Sequence, residues 1–442
     1  MTRRELLASA AALGAMSATG ASAAVGGLRT AARNAWIYTL PLIEMAAARA
    51  GILRPLGGSE LAVNAFRHSR ALNSPKNRLV TSPSNDTLFS SAWLDLTAGP
   101  VSLTIPPTGS RYISVAVMNM YTDNDAVLGT RTAGNGGGRF TIVGPHETGS
   151  GPDMVRVATP HAWVLVRTLI DGEADLAAAH AVQNGVRLEG PRLAAPPAFA
   201  DRHSKWSDYF MSAQKLLVAD PPPATDMRVL EAIAPLGLDA KGGFDPSRFS
   251  AAEIAEIEAG IGDARAALIR EEPPKAVQGW TYPRADVGDF GQDYGFRAAV
   301  ALVGLAALPN AEAMYMRPVS DDGLSTTMDG DVAYCLHFEK DKFPPVDAFW
   351  SLTMYEVTEE NQAFLTENPI NRYSIGDRTR GLTTNSDGSL DIWISRTDPG
   401  GGKTANWLPA PAGGPFRMTF RTYLPRSALV NGLWRIPALQ KV

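Results

Sequence analysis

The chain has 442 residues, of which 45% are hydrophobic and 19% charged, so it is long enough for two or three folded domains and too apolar to be disordered. Its net charge is −4 at pH 7, and it has no run of Lys and Arg. These values argue against a nucleic-acid partner and against attraction to an anionic membrane. The single cysteine, Cys335, excludes an intrachain disulfide, and its apolar surroundings (VAYCLHF) predict a buried core residue.

Residues 1–23 have the layout of an export signal. The basic pair Arg3-Arg4 precedes an apolar stretch of small residues that ends at Ala21-Ser22-Ala23. The pair, followed by Leu6-Leu7, resembles a twin-arginine signal. The apolar part is too short to span a bilayer. We therefore expect cleavage after Ala23 and an exported protein, periplasmic or secreted, without a membrane span.

The remaining chain divides into four segments by its pattern of apolar residues. Residues 24–74 predict an N-terminal helical segment that contains Pro41. Residues 75–171 carry short β-branched and aromatic runs separated by turn residues, which predict a first β-sandwich. Residues 172–309 show a helical period of 3.6, and residues 310–442 return to strands. The predicted fold is α+β, with two antiparallel, jelly-roll-like β-sandwich modules flanking a mainly helical block.

The two predicted β-modules repeat short patterns. VMNMYTDN, from residue 117, is similar to SLTMYEVT, from residue 351. VLVRTLID, from residue 164, is similar to MTFRTYLP, from residue 418. The repetition predicts two similar sandwiches, each with one face buried on the helical block. Strand edges left exposed in such sandwiches would allow a homo-oligomer.

Familiar catalytic and metal-binding motifs are absent from the sequence. It contains no GxSxG, HExxH, GxxxxGK[ST] or CxxC stretch, and no GxGxxG that follows a predicted strand. The six histidines are scattered singly, without the spacing of a metal site. We therefore expect neither a metal nor another cofactor.

Three stretches crowd polar side chains at the ends of predicted strands: SPSNDTLFSSAWLDL from residue 82, VMNMYTDNDAVLGTRT from residue 117 and ENPINRYSIGDRT from residue 367. If strand alternation continues through the second stretch, Asn119, Tyr121 and Asp123 share a face with Val115 and Val117. An apolar surface with a few polar groups is typical of a pocket. The alternative is a buried Asp–Arg pair with turns capped by Asn side chains.

These stretches also carry a family resemblance. The segment from SPSNDTLFSSAWLDL to RFTIVGP is similar to the bacterial family called domain of unknown function 1254, over roughly residues 35–190. The segment from FPPVDAFWSLTMYE to FRMTFRTYLP is similar to its usual partner, domain of unknown function 1214, over roughly residues 310–430. The commoner Asn-Asn-Asp-Thr of the first family reads Ser84-Asn85-Asp86-Thr87 here, which argues against an essential role for residue 84. The resemblance implies jelly-roll modules around a helical part, and it implies no reaction.

The hypothesis favoured by these residues is a hydrolase-like enzyme without a cofactor, acting on a small or oligomeric organic substrate. Asp86 or Asp123 would be the general base, and Arg131 or Arg372 would hold an anionic or oxyanionic group. The expected substrate-binding residues are Asn85, Trp93, Asn119, Tyr121, Asn124, Trp350, Tyr355 and Asn371, with the two tryptophans as apolar wall. Three alternatives stay open: a cyclase or isomerase, a non-catalytic binder of envelope ligands, and a structural protein.

Overall fold

A computed structural model of the chain describes residues 3–53, 62–78, 81–269, 275–320, 322–323, 325–359 and 362–442, with side chains described from residue 27 onward. Its described residues form helices and antiparallel or mixed sheets, so the α+β class is confirmed. Within those ranges, no helix combines the length and the hydropathy needed to cross a bilayer.

Four of the helices pack around the N-terminal helix. The N-terminal helix α1 (Arg3–Leu53) is continuous through Pro41. The other helices are α2 (Thr130–Ala133), α3 (Leu176–Gly185), α4 (Trp206–Ala219), α5 (Met227–Ile233), α6 (Ala251–Ile269), α7 (Tyr294–Val303) and α8 (Ser427–Val430). Helices α4, α5, α6 and α7 pack around α1, whose residues from Leu28 to Leu53 supply much of the largest apolar core.

The first β-module consists of two sheets. Its strands are β1 (Arg67–His68), β2 (Thr87–Asp95), β3 (Val101–Ile105), β4 (Ile113–Asn119), β5 (Asn124–Gly129), β6 (Gly138–Val143), β7 (Met154–Arg156), β8 (His161–Leu169) and β9 (Arg187–Glu189). The large sheet has the order β1-β2-β8-β4-β5, and the small sheet has the order β7-β6-β3-β9. Side chains from both sheets, such as Val115, Val164, Leu103 and Ile142, share one apolar core.

The second β-module has the same two-layer construction. Its strands are β10 (Trp280–Thr281), β11 (Ala313–Pro318), β12 (Tyr334–Phe338), β13 (Val346–Val357), β14 (Ala363–Phe364), β15 (Ser374–Gly376), β16 (Leu390–Ser395), β17 (Trp407–Pro409), β18 (Phe416–Pro425) and β19 (Gln440–Lys441). The large sheet has the order β10-β11-β18-β13-β14, with β15 also paired to β13. The small sheet, β17-β16-β12-β19, shares an apolar core with it.

Burial patterns explain why these segments are strands. In β3, the buried Val101, Leu103 and Ile105 alternate with half-buried Ser102 and Thr104, as expected where one face meets the core and the other meets water. Strand β4 is buried at every residue, because its second face is also covered by protein. Its sequence ISVAVMN is correspondingly apolar along its whole length.

The two modules are topological repeats. Each large sheet places its first long strand, its last long strand and a middle strand side by side, as β2-β8-β4 and as β11-β18-β13. Each small sheet contains one parallel pair, β6 with β7 and β16 with β17. Register identifies equivalent residues, because Ser114 lies opposite Arg167 and Gly129, whereas Ser351 lies opposite Arg421 and Gly376.

This register shows which of the two repeated sequence patterns occupies equivalent positions in the two modules. The shared Arg-Thr is equivalent in space, since Arg167 and Arg421 occupy matching places in β8 and β18. The shared Met-Tyr is not equivalent, because Tyr121 follows the end of β4 and Tyr355 lies within β13. The two Met-Tyr pairs are therefore similar in sequence but do not occupy equivalent positions in the fold.

The outer faces of the two large sheets meet in a contact that we call the seam. It joins residues 81–86 and Tyr112 of the first module to residues 349–355, Arg421 and Tyr423 of the second. The Tyr112 ring lies 5.7 Å from the Phe349 ring and 5.4 Å from the Tyr423 ring. These three rings belong to the same apolar core as α1, so the helices cover one part of the seam.

Gly376 gives a direct test of the repeated turn. A Cβ at Gly376 would overlap the carbonyl oxygen of Trp350, just as a Cβ at Gly129 would overlap that of Ile113. The Gly376→Ala variant should lose about 1–3 kcal/mol of unfolding free energy, because the neighbouring strand has to shift. Gly413→Ala is the control, since its Cβ would meet open space. Equal urea midpoints for the two variants would contradict the packing described here.

Candidate functional site

The carboxylate of Asp86 lies in the seam, where hydroxyls of both modules hold it. Ser351 Oγ, from β13, donates to Asp86 Oδ2 at 2.8 Å. Ser84 Oγ donates to the same oxygen at 3.1 Å and accepts from the backbone N–H of Asp86 at 3.2 Å. The short polar stretch before β2 therefore forms a turn, and a strand of the other module supplies a further hydrogen bond to its aspartate.

Two further side chains of the second module fasten the same stretch. Arg421 Nη2 donates to the carbonyl oxygen of Ser82 at 2.9 Å, and Arg421 Nη1 donates to Thr353 Oγ1 at 2.8 Å. The Tyr355 hydroxyl donates to the carbonyl oxygen of Pro83 at 2.9 Å. Both side chains are buried, so the loop that carries Asp86 is held in one position.

Burial raises the pKa of Asp86, and the attraction of Arg421 and the hydroxyl bonds only partly oppose it. No ion pair to Asp86 occurs among the described residues. Part of the Asp86 surface nevertheless remains accessible. A carboxyl group whose pKa is raised in this way keeps its proton to a higher pH than an ordinary aspartate, which suits a general acid or base.

A cleft of about 460 Å³ takes its lining from both modules, and Asp86 itself is not part of that lining. The lining residues are Ser74, Pro75 and Lys76 from the first module, and Glu367, Asn368, Asn371 and Tyr373 from the second. The cleft wall is connected to the Asp86 loop, because Asn73 Nδ2 donates to the carbonyl oxygen of Ser84 at 2.8 Å. Ser374, which follows Tyr373, also interacts with the Asp86 carboxylate.

A second carboxylate, that of Glu312 in the second module, accepts hydrogen bonds from the first module. Glu312, just before β11, accepts from Arg131 Nε at 2.6 Å and from the Tyr112 hydroxyl at 2.8 Å. Its side chain is 2% exposed. Arg131, whose side chain is 36% exposed, is therefore engaged in an ion pair between the modules whose acid is buried.

The turn after β4 contacts the helical block. Asn119 Oδ1 accepts from the backbone N–H of Tyr121 at 2.9 Å, and its Nδ2 donates to Asp125 Oδ1 at 2.9 Å. The Tyr121 hydroxyl donates to the carbonyl oxygen of Asp220, and Asn124 Nδ2 donates to that of Ala307. These bonds close the turn and attach it to the helices.

The expected alternation through this turn is wrong. Val115 and Val117 face the core between the two sheets, whereas Tyr121 belongs to the core around α1. The register shifts between Val117 and Met118, and Thr122 takes a positive φ of 73°, so the chain leaves the strand geometry. Period-two reasoning cannot continue beyond such a bulge and turn.

Asp123 is paired with the helical block and lies far from Asp86. Its Oδ2 is 2.9 Å from Arg297 Nη1 of α7, and its Oδ1 accepts from the backbone N–H of Phe290 at 2.9 Å. Thr87 lies opposite Leu169 and Asn119 lies opposite Ala162, so the two aspartates are at opposite ends of the sheet. Seven residues of β8 separate these ends, which is roughly 23 Å.

The other expected site residues are also dispersed. Arg372 donates to the carbonyl oxygens of Thr404, Ala405 and Trp407 and faces no carboxylate within ion-pair distance among the described residues. Trp93 stacks on Trp163 at 5.0 Å, and Trp350 stacks on Phe420 at 5.3 Å, both inside apolar cores. The structure therefore groups Asn85, Asp86 and Tyr355 at the seam, puts Asn371 in the lining of the cleft and places the remaining residues elsewhere.

Sequence reasoning missed several groups at the seam. The family pattern argues against an essential role for Ser84, because Asn is commoner there, yet the Ser84 hydroxyl contacts Asp86. Residue types alone do not single out Ser351, Arg421 or Asp377, although the repeated Arg-Thr points to Arg421. Among the described residues, no cluster of three or more His, Cys, Asp or Glu side chains could hold a metal ion. Cys335 is buried as predicted, and burial raises the pKa of its thiol to about 12.

The Asp123–Arg297 pair predicts a loss of stability on mutation. Asp123→Asn leaves Arg297, whose side chain is 7% exposed, without its carboxylate. We expect a loss of about 2–3 kcal/mol in urea unfolding, less than for a fully enclosed pair because Asp123 keeps 21% of its side-chain surface. Asp263→Asn, at the exposed pair with Arg29, should leave the midpoint unchanged. Equal stability of wild type and Asp123→Asn would contradict this role.

Comparisons with known proteins agree with this architecture. The family described as protein of unknown function (DUF1254) matches residues 63–190, and the one described as protein of unknown function (DUF1214) matches residues 312–427. These segments coincide with most strands of the first and second β-modules, respectively. No curated protein matches the chain.

One solved structure supports the fold. The VPA0106 protein from Vibrio parahaemolyticus is similar with a TM-score of 0.68 and 23% identity, covering 94% of this chain and 100% of that chain. An uncharacterised protein from Burkholderia cenocepacia aligns with a TM-score of 0.44 and 14% identity, over 97% of each chain. The resemblance seen in the sequence is confirmed, and the chain belongs to the family that joins a DUF1254 domain to a DUF1214 domain.

Proposed function

We propose that the protein is a hydrolase-like enzyme that acts on a small or oligomeric polar organic substrate at the seam, with Asp86 as its general base. The observation that carries the proposal is the position of Asp86. Asp86 is a half-buried residue whose carboxyl group has a raised pKa and is held by hydroxyls from both modules, and its loop is bonded to a wall of a cleft that both modules line. Acid–base groups of enzymes are commonly found in such surroundings.

The lining of the cleft favours a substrate rich in hydroxyl or carbonyl groups. Asn371, Tyr373 and Ser74 offer amide and hydroxyl groups, whereas Lys76 and Glu367 contribute one charge of each sign. Asn371 has a positive φ of 50°, which holds this part of the loop in a left-handed conformation. A rim of this kind suits several hydrogen bonds to a neutral or weakly charged molecule.

Buried Arg421 would keep the Asp86 loop in place during the reaction. The guanidinium is 4% exposed and is anchored to Ser82 and Thr353, so its charge stays at a fixed distance from the carboxylate. Asp123, Arg131 and Arg372 are engaged elsewhere, and the proposal gives them no part in the chemistry. The same acid–base group would also serve a cyclase or isomerase.

The second candidate is a ligand-binding protein without chemistry. It is favoured by the same cleft, because a lining shared by two domains is common in binding sites. Export through a cleaved signal at residues 1–23 and a jelly-roll arrangement of the two modules remain parts of the proposal.

Ligand stabilisation separates these candidates. A set of oligosaccharides and small esters should include a compound that raises the Tm of the wild-type protein. Asn371→Ala should weaken the binding of that compound by about tenfold, as expected for one lost hydrogen bond to a ligand. Ser320→Ala, in a separate cleft of about 550 Å³ lined by Ser320, Asp329 and Arg396, is the matched control and should bind normally.

Product analysis by mass spectrometry then tests the chemistry. The wild-type protein should convert the stabilising compound, and Asp86→Asn should bind it without conversion. Binding of the compound by the wild-type protein without any product would contradict the proposed enzyme activity and favour a ligand-binding protein. The absence of stabilisation by every compound would count against both.

A further inference from the structure

The repeat of the two modules extends to the turns that flank the seam. Ser114 lies opposite Gly129, and Ser351 lies opposite Gly376, so the stretch Gly129–Thr132 is equivalent to Gly376–Thr379. Both stretches read Gly-x-Arg-Thr. Each therefore brings an arginine to the same place at the edge of its large sheet.

The second residue of each stretch makes the same backbone contact. Ile113 N–H donates to Thr130 Oγ1 at 2.9 Å, and Trp350 N–H donates to Asp377 Oδ1 at 3.1 Å. Asp377 is thus the equivalent of Thr130. The two side chains satisfy the same donor, but only Asp377 brings a carboxyl group.

The two acids that cross the seam are equivalent as well. Phe89 lies opposite Arg167 and Tyr315 lies opposite Arg421, so Asp86 and Glu312 both stand three residues before these aromatic positions. Each acid reaches a partner in the other module. The two ends of the seam are therefore copies of one site, related as the two halves of a symmetric dimer interface.

The copies differ in their charge balance. Glu312 is joined to Arg131 at 2.6 Å, which closes its copy with an ion pair. Asp86 is one methylene shorter than Glu312, and Arg378, the equivalent of Arg131, lies 3.3 Å from Asp171 instead. The Asp86 copy holds two carboxyl groups, Asp86 and Asp377, where the other copy holds one.

We propose that Asp377 is the second acid–base group of the seam site and works with Asp86 on the same polar substrate. This inference rests on the proposed function. The two carboxyl groups are held by consecutive residues of β13, since Trp350 N–H donates to Asp377 and Ser351 Oγ donates to Asp86. Asp377 is the more exposed of the two, so it lies on the solvent side of the pair.

Two enclosed hydroxyls beside the seam, one next to Asp86 in the chain and one opposite Thr353, are left without a partner in the described part of the protein. Thr87 Oγ1 and Thr419 Oγ1 have no hydrogen-bond partner among the described residues. Their residues are 1% and 2% exposed. Thr87 is on the same face of β2 as Trp93, and Thr419 is on the same face of β18 as Arg421, which are the faces turned away from the inner cores. Because an enclosed hydroxyl without a partner is unfavourable, a polar ligand that reaches them would complete the site.

The charged surroundings agree with a shared proton. Asp86 faces Arg421, Tyr355 and Tyr423, and of these only Arg421 carries a positive charge. Burial raises the pKa of Asp377 to about 6; Arg378 opposes this shift and the nearby Asp86 adds to it. Since two neighbouring carboxyl groups resist ionising together, the second of them gives up its proton at a higher pH than it would alone.

The pair supplies both proton transfers of a hydrolysis. Ionised Asp86 takes a proton from water as the water oxygen bonds to the scissile carbon. Protonated Asp377 gives its proton to the leaving oxygen or nitrogen as that bond breaks. Transfer of the proton from Asp86 to Asp377, directly or through water, restores the starting state.

Asp377→Thr is the sharpest test, because it installs the residue found in the other copy and keeps an acceptor for Trp350 N–H. Carbon-13 NMR of labelled aspartate carboxyls, assigned with Asp86→Asn, would follow the titration of Asp86. We expect the pKa of Asp86 to fall by roughly one pH unit in Asp377→Thr, since a like charge has been removed. Thr130→Ser, the control at the equivalent turn, should leave that titration unchanged.

The pH dependence of stability gives a second readout. A raised pKa in the folded state means that the contribution of Asp377 is complete below the ordinary aspartate value of about 4 and is lost as the pH rises through about 6. Asp377→Thr should remove this part of the decline in Tm. Asp377→Asn, which also keeps an oxygen acceptor, replaces it if the threonine variant does not fold.

The outcomes separate the two proposals. An unchanged Asp86 titration in the folded variant overturns the pair, whatever the ligand experiments show. A lowered Asp86 titration supports the pair without any ligand, so failure of every compound to stabilise the wild-type protein would then remove only the proposed function.

Discussion

At the seam, each module places one carboxylate against donors of the other module, and the packing of the two modules depends on these contacts. Asp86 meets the hydroxyl of Ser351, and Glu312 meets Tyr112 and Arg131. A buried carboxylate is costly unless donors surround it, so both modules must present these donors at fixed positions. The large sheets are thereby held together, and loops of both modules line the cleft near the loop that carries Asp86.

Repetition explains why the interface has this form. A module that packs against a copy of itself uses the same surface patch twice, so each polar contact occurs at both ends. Within one chain the two ends are free to diverge. Here the Glu312 end keeps its ion pair, whereas at the Asp86 end Arg378 turns to Asp171 and Asp377 replaces the neutral Thr130. The Glu312 end of the seam is thus closed by an ion pair, whereas the Asp86 end is not.

The contrast between Asp86 and Asp123 shows how far residue types alone can lead. Both aspartates end a polar turn beside an apolar strand, and the sequence gives them equal standing as general bases. In the structure, Asp123 is paired with Arg297 and attaches the turn to α7. Asp86 has only hydroxyl donors and a raised pKa. The difference comes from what each turn packs against, which its own residues do not encode.

The sequence by itself determined the α+β class, the burial of Cys335 and the equivalence of Arg167 with Arg421. These follow from period, turn residues and short repeats, which act over a few positions. The tertiary structure decided which polar stretch lies beside a cleft, because Asp86 finds Ser351 at a separation of 265 residues. It also decided where alternation stops, since the bulge after Val117 and the positive φ of Thr122 turn Tyr121 towards the helices. Local chemistry specifies a strand or a turn, and only packing specifies its neighbour.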